Sequence, residues 1–237
     1  MDRAWQFDLP ELDLAHAPPP RALWATSYYV PVVPASARGE PLLDPVGLPL
    51  GPRLSRRDWC EAAMEGTVVV VDAATGVRST YNYATSAARA QTRCDTFFPR
   101  NRGIEKTRFR TATGPFGDGV DGMVLVPYRT MAVDPGTIPF GSVIYVPAAR
   151  GRPIRLPNGE YRIHDGYFFA ADRGGAIRGN HVDVFSGGDR DSALPFVHSR
   201  ASATFDAYLV TDRTIDGILR RAHAAASVPE PLFNRDQ

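Results

Sequence analysis

The second half of this chain is a run of short strand candidates, each stopped within a few residues by Gly, Pro or Asp. They are Thr107–Thr113, Met123–Val126, Thr130–Val133, Ser142–Val146, Arg162–Ala171, His181–Phe185 and Thr204–Thr211. Short strands separated by turn signals point to a small closed barrel or a sandwich. The 21 Gly and 21 Pro residues, both above average for 237 residues, fit the same reading. After the last strand, Ile215, Ile218, Leu219 and Ala222 recur at helical spacing, which predicts a terminal helix over Thr214–Ala225. Residues 226–237 read as a frayed tail.

The first half is less regular. Residues 1–21 are acidic, end near Pro18-Pro19-Pro20, and read as an extended arm. Ala22–Val30 is aromatic and β-prone until Pro31 and Pro34 interrupt it, so residues 22–34 hold one strand that can join the barrel. Ser55 with Asp58 three residues on resembles a capping box and predicts a helix over Ser55–Met64. Thr67–Val71 and Val77–Tyr83 flank Asp72–Gly76 as a hairpin with a long turn. Residues 35–103 therefore read as an accessory or inserted α+β lobe, 104–212 as the barrel, and 213–237 as helix and tail.

Composition narrows the function. A formal net charge of +1 argues against a nucleic-acid binder, which carries a strong basic excess. The longest apolar runs, such as Val68–Val71, fall far short of the roughly 20 residues of a membrane helix. Met1-Asp2-Arg3 leads into polar residues and not into an apolar signal region, so the chain reads as soluble as written, with its export route open. Cys60 and Cys94 lack CxxC spacing. They read equally as one disulfide of an oxidising compartment or as two buried thiols.

Three aspartates sit in Gly- or Pro-defined turns beside strands. Asp134 lies in AVDPGTIPFG, Asp172 in ADRGGAIRGN and Asp183 in HVDVF. Neighbouring glycines let backbone approach a neighbour or ligand closely. An Asp between Val182 and Val184 is poorly solvated, which raises its pKa and suits a general acid. The plain alternative is turn formation, since Asp caps turns through its own side chain, and Asp134 taken alone reads that way.

The stretches AVDPGTIPFGSVIYVP and ADRGGAIRGNHVDVF resemble the three-aspartate domain of the membrane-bound lytic transglycosylase A family and its resuscitation-factor relatives. Phe109–Gly114 (FRTATG) is similar to the strand that opens the shorter relatives' domain, and Ala25–Val33 (ATSYYVPVV) to the transglycosylase's Thr-Gly-Tyr-Tyr-x-Pro-Val, with Ser27 in place of Gly. The resemblance implies a mainly β chain: a six-stranded double-psi β-barrel, with residues 35–103 forming the other wall of a glycan groove. It implies cleavage of the MurNAc-β-1,4-GlcNAc bond of peptidoglycan glycan strands without water, leaving 1,6-anhydroMurNAc. Asp183 takes the acid/base position, with Asp172 and Asp134 orienting it or contacting sugar. Thr26, Tyr28 and Thr113, then Gly175, Ala176, Arg178 and Asn180, take substrate-contact positions. No cofactor or metal is implied, nor any nucleic-acid partner. The location implied is the cell envelope, periplasm or exterior. Arg173 and Arg178 stand where Thr and Lys are common in the family. The other readings are a non-catalytic carbohydrate-binding barrel of barwin or expansin type, and a secreted antibacterial effector.

His164 and His181 lack a third partner at metal-ligand spacing and read as structural. Trp24, Tyr28, Tyr29, Tyr81 and Tyr83 suit a sugar-stacking wall or half-buried strands equally. The run Arg100–Arg110 reads as a solvated edge strand guarded by charge. Ser86, Ser186 and Ser199 lack a nucleophile-elbow context.

Overall fold

The computed structural model describes residues 6–188 and 194–224. The chain divides into two compact units, Val30–Asp118 and the union of Met1–Tyr29 with Gly119–Gln237. β1 (Arg21–Tyr28) belongs to the second of these, and the chain then leaves it to build Val30–Asp118.

That inserted unit starts with β2 (Val32–Pro34), β3 (Glu40–Leu43) and β4 (Pro49–Leu54). Helix α1 (Arg56–Glu65) follows, then β5 (Thr67–Val71), β6 (Arg78–Ser86) and β7 (Thr107–Thr111). Ser55 caps α1 by accepting the Asp58 N–H, and Gly66 ends it at φ +79°, a left-handed conformation that glycine adopts without steric cost. The buried face of α1 sets Trp59 edge-on to Phe109, 5.9 Å between ring centres, among Leu42, Leu54, Val68, Val70 and Tyr81. The sheet order is β2-β5-β6-β7, with β3 and β4 as a separate hairpin. Two sequence boundaries change here. Val32–Pro34, read with the 22–34 strand, pairs with β5, while β1 alone joins the barrel. Thr107–Thr111, read as opening the barrel at residue 104, pairs with β6 and forms the edge of this sheet. Of the Arg100–Arg110 run, the part from Thr107 on is this edge strand, with Arg110 exposed and bonded to Asp118 at 2.5 Å, while residues 100–103 are loop and Ile104–Lys106 a short 3-10 turn. Cys60 and Cys94 are joined in a disulfide.

The other unit is the barrel. Its strands are β1, β8 (Thr130–Ala132), β9 (Val143–Tyr145), β12 (Tyr167–Asp172), β13 (His181–Phe185) and β14 (Phe205–Val210), closed in the order β1-β13-β8-β12-β9-β14. A hairpin of β10 (Pro153–Arg155) and β11 (Tyr161–Ile163) stands outside that ring. This is the six-stranded mainly β barrel expected, with β1 parallel to β13, β8 parallel to β12, and the other pairings antiparallel. Strand alternation sends Leu23 and Ala25, Phe168 and Ala170, and Val182 and Val184 into one core. The other face of β12 carries Tyr167, Phe169 and Ala171 against Ile215 and Leu219 of α2 (Arg213–Ala222). Both faces of β12 are covered, which explains its unbroken apolar run.

The Arg162–Ala171 candidate divides into β11 and β12 at Gly166, which sits at φ +94° with a Cβ position 2.6 Å from the Tyr145 ring. Met123–Val126 is not a strand. Asp121 and Gly122 turn the backbone at positive φ, and Val124 donates to the His223 carbonyl at the end of α2. Ala225 and residues 226–237 lie outside the described residues. No described helix is long and apolar enough to cross a membrane.

The amino-terminal arm is anchored. Arg129 and Asp165, both almost fully buried, form a two-pronged ion pair at 2.6 and 2.7 Å. Arg129 also donates to the Gln6 and Tyr167 carbonyls and lies 4.0 Å over the Phe7 ring, while Asp165 accepts the Leu9 N–H. Burial pushes the Asp165 carboxyl up, but the adjacent guanidinium outweighs it and holds the group below its ordinary value. His164 is structural, as read from sequence. Burial, aided by Arg129, pushes it down to about 3, and the neutral ring accepts from the Gly166 N–H and donates to the Tyr128 carbonyl.

Two outcomes follow. Asp165→Asn leaves Arg129 buried without a counter-charge, and should cost about 3–5 kcal/mol in a denaturant melt. Reduction of the Cys60–Cys94 bridge should cost about 2–4 kcal/mol, the range for closing a loop of this size. Thiol titration of the denatured, unreduced chain should find none free.

Candidate active site

Parallel pairing of β1 with β13 builds the site. The register sets Trp24 opposite His181, Thr26 opposite Asp183, and Tyr28 opposite Phe185. Because side chains alternate, Leu23, Ala25, Val182 and Val184 fill the core while these three pairs share the opposite face. On the far side of β13, Asp183 is level with Ala132 of β8, and so is Asp172 of β12. A shift in register between Ala170 and Asp172 re-aims the end of β12, as bulges do. The two carboxylates therefore flank one small residue from neighbouring strands.

Thr26 Oγ1 lies 2.7 Å from Asp183 Oδ1 and donates to it when the carboxyl is ionised. The Tyr28 hydroxyl donates to Asp172 Oδ2 at 2.7 Å, and the Arg173 N–H to Oδ1 at 2.8 Å. Both residues keep part of their surface at solvent, so a ligand can reach them. Burial of the carboxyl groups nevertheless raises each to about 6, opposed by Thr26 at Asp183 and by Tyr28 at Asp172. The charge of Asp172 raises Asp183 further. Neither is paired with a guanidinium as Asp165 is, although the charge of Arg173 draws Asp172 down in part.

Asp134 differs. Its oxygens accept the Gly179 N–H at 2.7 Å and the Gly136 N–H at 3.0 Å, and these bonds hold its pKa below the ordinary value. It is an ionised clip tying the turn after β8 to the β12–β13 turn. That second turn carries Gly175, Ala176, Arg178 and Asn180, all exposed, around the buried Ile177. A Cβ on Gly174 would meet Ile177 at 2.5 Å, whereas the Gly175 position faces open space. The Asn180 carbonyl accepts the Trp24 N–H at 3.0 Å. Thr113 belongs to the other unit, where its hydroxyl donates to Asp118 at 2.7 Å.

His181 was read as structural, yet its Nε2 is 2.9 Å from Thr26 Oγ1 and its ring stacks on Trp24 at 3.6 Å. The signal available was its period-two spacing from Asp183, which puts both on one strand face. Among the described residues, no group of three His, Cys, Asp or Glu is arranged to hold a metal ion.

Comparison with known proteins bears on the fold around this site. Residues 129–193 match the family model described as the 3D domain. The structure is similar to Escherichia coli MltA with bound chitohexaose, at TM-score 0.55 and 16% identity, covering 79% of this chain and 71% of that one. It is also similar to a membrane-bound lytic murein transglycosylase of Agrobacterium tumefaciens, at TM-score 0.52 and 17% identity over 84% and 76% of the chains. For MltA of Neisseria gonorrhoeae the TM-score is 0.52 and the identity 14%, over 78% and 72%. No curated protein sequence matches the chain. The resemblance to the three-aspartate domain is thus met by the family model over the segment bearing all three aspartates, and by the fold over most of the chain.

The raised carboxyls have a consequence for stability. A folded-state pKa of about 6 lies above the ordinary Asp value near 4. Its contribution is fully present below the unfolded pKa and is lost as pH rises through 6. Asp183→Asn should therefore melt above the wild type at pH 7–8, by about 1–2 kcal/mol once partial exposure is allowed for, and the gain should shrink to nothing near pH 4. Melts of both proteins across this range read the sign directly.

Proposed function

We propose that this chain is a peptidoglycan lytic transglycosylase that uses Asp183 as its single acid and base. The observation carrying the reading is a partly exposed carboxyl, kept protonated to about pH 6 by its surroundings, in a barrel with the fold of MltA. A binding-only barrel has no use for such a group, whose burial lowers stability above pH 6. The chitohexaose bound by the E. coli protein supports a glycan as the ligand class here. The Cys60–Cys94 bridge supports an oxidising compartment, at the envelope or outside it.

Protonated Asp183 donates to the bridging oxygen of the MurNAc-β-1,4-GlcNAc bond. The C1–O bond breaks, its electron pair stays with the leaving oxygen, and positive charge develops at C1. The Asp183 carboxylate then takes the proton of the muramic C6 hydroxyl as that oxygen bonds to C1. The products are a 1,6-anhydroMurNAc end and a GlcNAc with a free 4-hydroxyl. Asp183 ends protonated, ready for another cycle, and no water is consumed. One carboxyl serves both steps because the nucleophile is internal, unlike the paired carboxylates of hydrolases. Asp172, oriented by Tyr28, adds negative charge near the developing cation, and Asp134 fixes the turn bearing the glycan contacts Gly175, Ala176, Arg178 and Asn180.

Purified sacculi incubated with the protein should release anhydro-muropeptides lighter by one water than lysozyme products, as read by mass spectrometry. Asp183→Asn should lower the rate by at least about 10²–10⁴ while the protein still melts cooperatively. Reducing-end muramic acid as the sole product would reject the mechanism.

A further inference from the structure

The hairpin of β10 and β11 stands outside the barrel ring and holds none of the groups assigned to the reaction. We propose that its outer face is a docking surface for a bilayer carrying anionic phospholipid.

The face follows from register. Pro153 pairs with Ile163, Ile154 with Arg162, and Arg155 with Tyr161. Ile154 and Leu156 are buried in the barrel core, so alternation sends Pro153, Arg155, Tyr161 and Ile163 to the opposite side. All four are exposed, Tyr161 by 69% and Ile163 by 57%. The His164 N–H donates to the Arg152 carbonyl and the Leu156 N–H to the Glu160 carbonyl, both at 2.8 Å. Between these bonds, Pro153–Ile163 and Arg155–Tyr161 are the close, non-hydrogen-bonded pairs, with side chains about 5 Å apart. The frame is fixed at its tip too. The Asn158 side chain accepts the Glu160 N–H at 3.0 Å, and a Cβ on Gly187 would meet Pro157 at 3.2 Å. Burial of Ile154 and Leu156 holds one face down while the other keeps three apolar side chains in water.

Charge selects the occupant. Residues 152–163 carry Arg152, Arg155 and Arg162 against one acid, Glu160, which already pairs with Arg162. Arg155 has no hydrogen-bond or ion-pair partner among the described residues, and Arg152 reaches the Ala148 carbonyl at 3.4 Å. Tyrosine, isoleucine and proline beside guanidinium groups match the boundary of a bilayer. The apolar atoms enter below the headgroups, and the arginines stay level with the phosphates. Other occupants fit less well. A second copy seated on the same face would set these arginines against themselves. An added strand would meet Pro153, which has no N–H to give, or the charged edge of β11. A sugar ring stacks on tyrosine, but this face has no acid or amide side chain for the sugar hydroxyls.

The test is sedimentation of the full chain with vesicles of phosphatidylcholine, alone or mixed with phosphatidylglycerol, beside the rate of sacculus cleavage. The wild type should partition onto the mixed vesicles in preference to the neutral ones, and added salt should weaken that partitioning. Arg155→Gln should lower the partition coefficient about fivefold, the effect of one guanidinium at an anionic surface. Tyr161→Ser combined with Ile163→Ser should lower it at least about tenfold through lost apolar burial. Both variants change exposed side chains only, so their melts and their cleavage of sacculi should match the wild type. Equal partitioning onto the two vesicle types, or partitioning unchanged in both variants, overturns the proposal. Variants that lose binding to sacculi but keep binding to vesicles would make the face a glycan platform. A dimer that dissociates in the double variant would make it a self-association surface. Either result also overturns the bilayer assignment, and neither alters the reaction assigned to Asp183.

Discussion

Everything in the barrel unit depends on β1 lying parallel beside β13. The contact joins residues 157 positions apart, Thr26 and Asp183, and β1 also pairs with β14 to close the ring. Burial of Leu23, Ala25, Val182 and Val184 favours the pairing, and the register that buries them fixes what stands opposite. A one-residue slip would turn Thr26 and Asp183 inward and expose the core residues, so the packing that stabilises the barrel also assembles the site. The Val30–Asp118 unit is inserted between β1 and the rest of the barrel. Loop-closure entropy grows only with the logarithm of length, so an inserted unit of this size adds little to the cost of bringing the two strands together.

The same residue type is used in opposite ways within one unit. Asp165 is buried against Arg129, which matches a guanidinium to both carboxylate oxygens, and it stays ionised. Asp172 and Asp183 have hydroxyl and backbone partners and each other, so burial wins and both rise to about 6. The first arrangement anchors the arm through Phe7 and Leu9. The second costs stability near neutral pH, which functional sites commonly do.

Much of the fold was legible because its signals are local. Ser55 with Asp58, and Gly66 eleven residues after Ser55, mark both ends of α1, and the turn Asp72–Gly76 marks a hairpin. Which sheet a strand joins is not local. Thr107–Thr111 resembles a barrel strand in composition, but its partner is β6, and nothing within the segment says so. Met123–Val126 is apolar enough for a strand, yet its backbone hydrogen bonds go to a turn and to the end of α2. The aspartates were legible from their glycine-rich turns. The place of His181 beside them was not, because its partners Thr26 and Trp24 lie on β1 and meet it only through the parallel register. Arg129 was missed for the same reason, its carboxylate partner lying 36 residues away.

The three aspartates are alike in sequence and unlike in chemistry, and burial together with what reaches each one explains the difference. Backbone N–H groups of Gly136 and Gly179 reach Asp134, and they keep it charged. A tyrosine hydroxyl and one N–H reach Asp172, which is too little to offset burial. A single hydroxyl reaches Asp183, and the same hydroxyl lies 2.9 Å from His181 Nε2. Asp134 and Asp172 each have two donors, so burial is what separates them, while Asp183 combines burial with a single donor. A carboxyl that must give up a proton and take one back within a single turnover needs the fewest committed donors, and Asp183 is the one that has them.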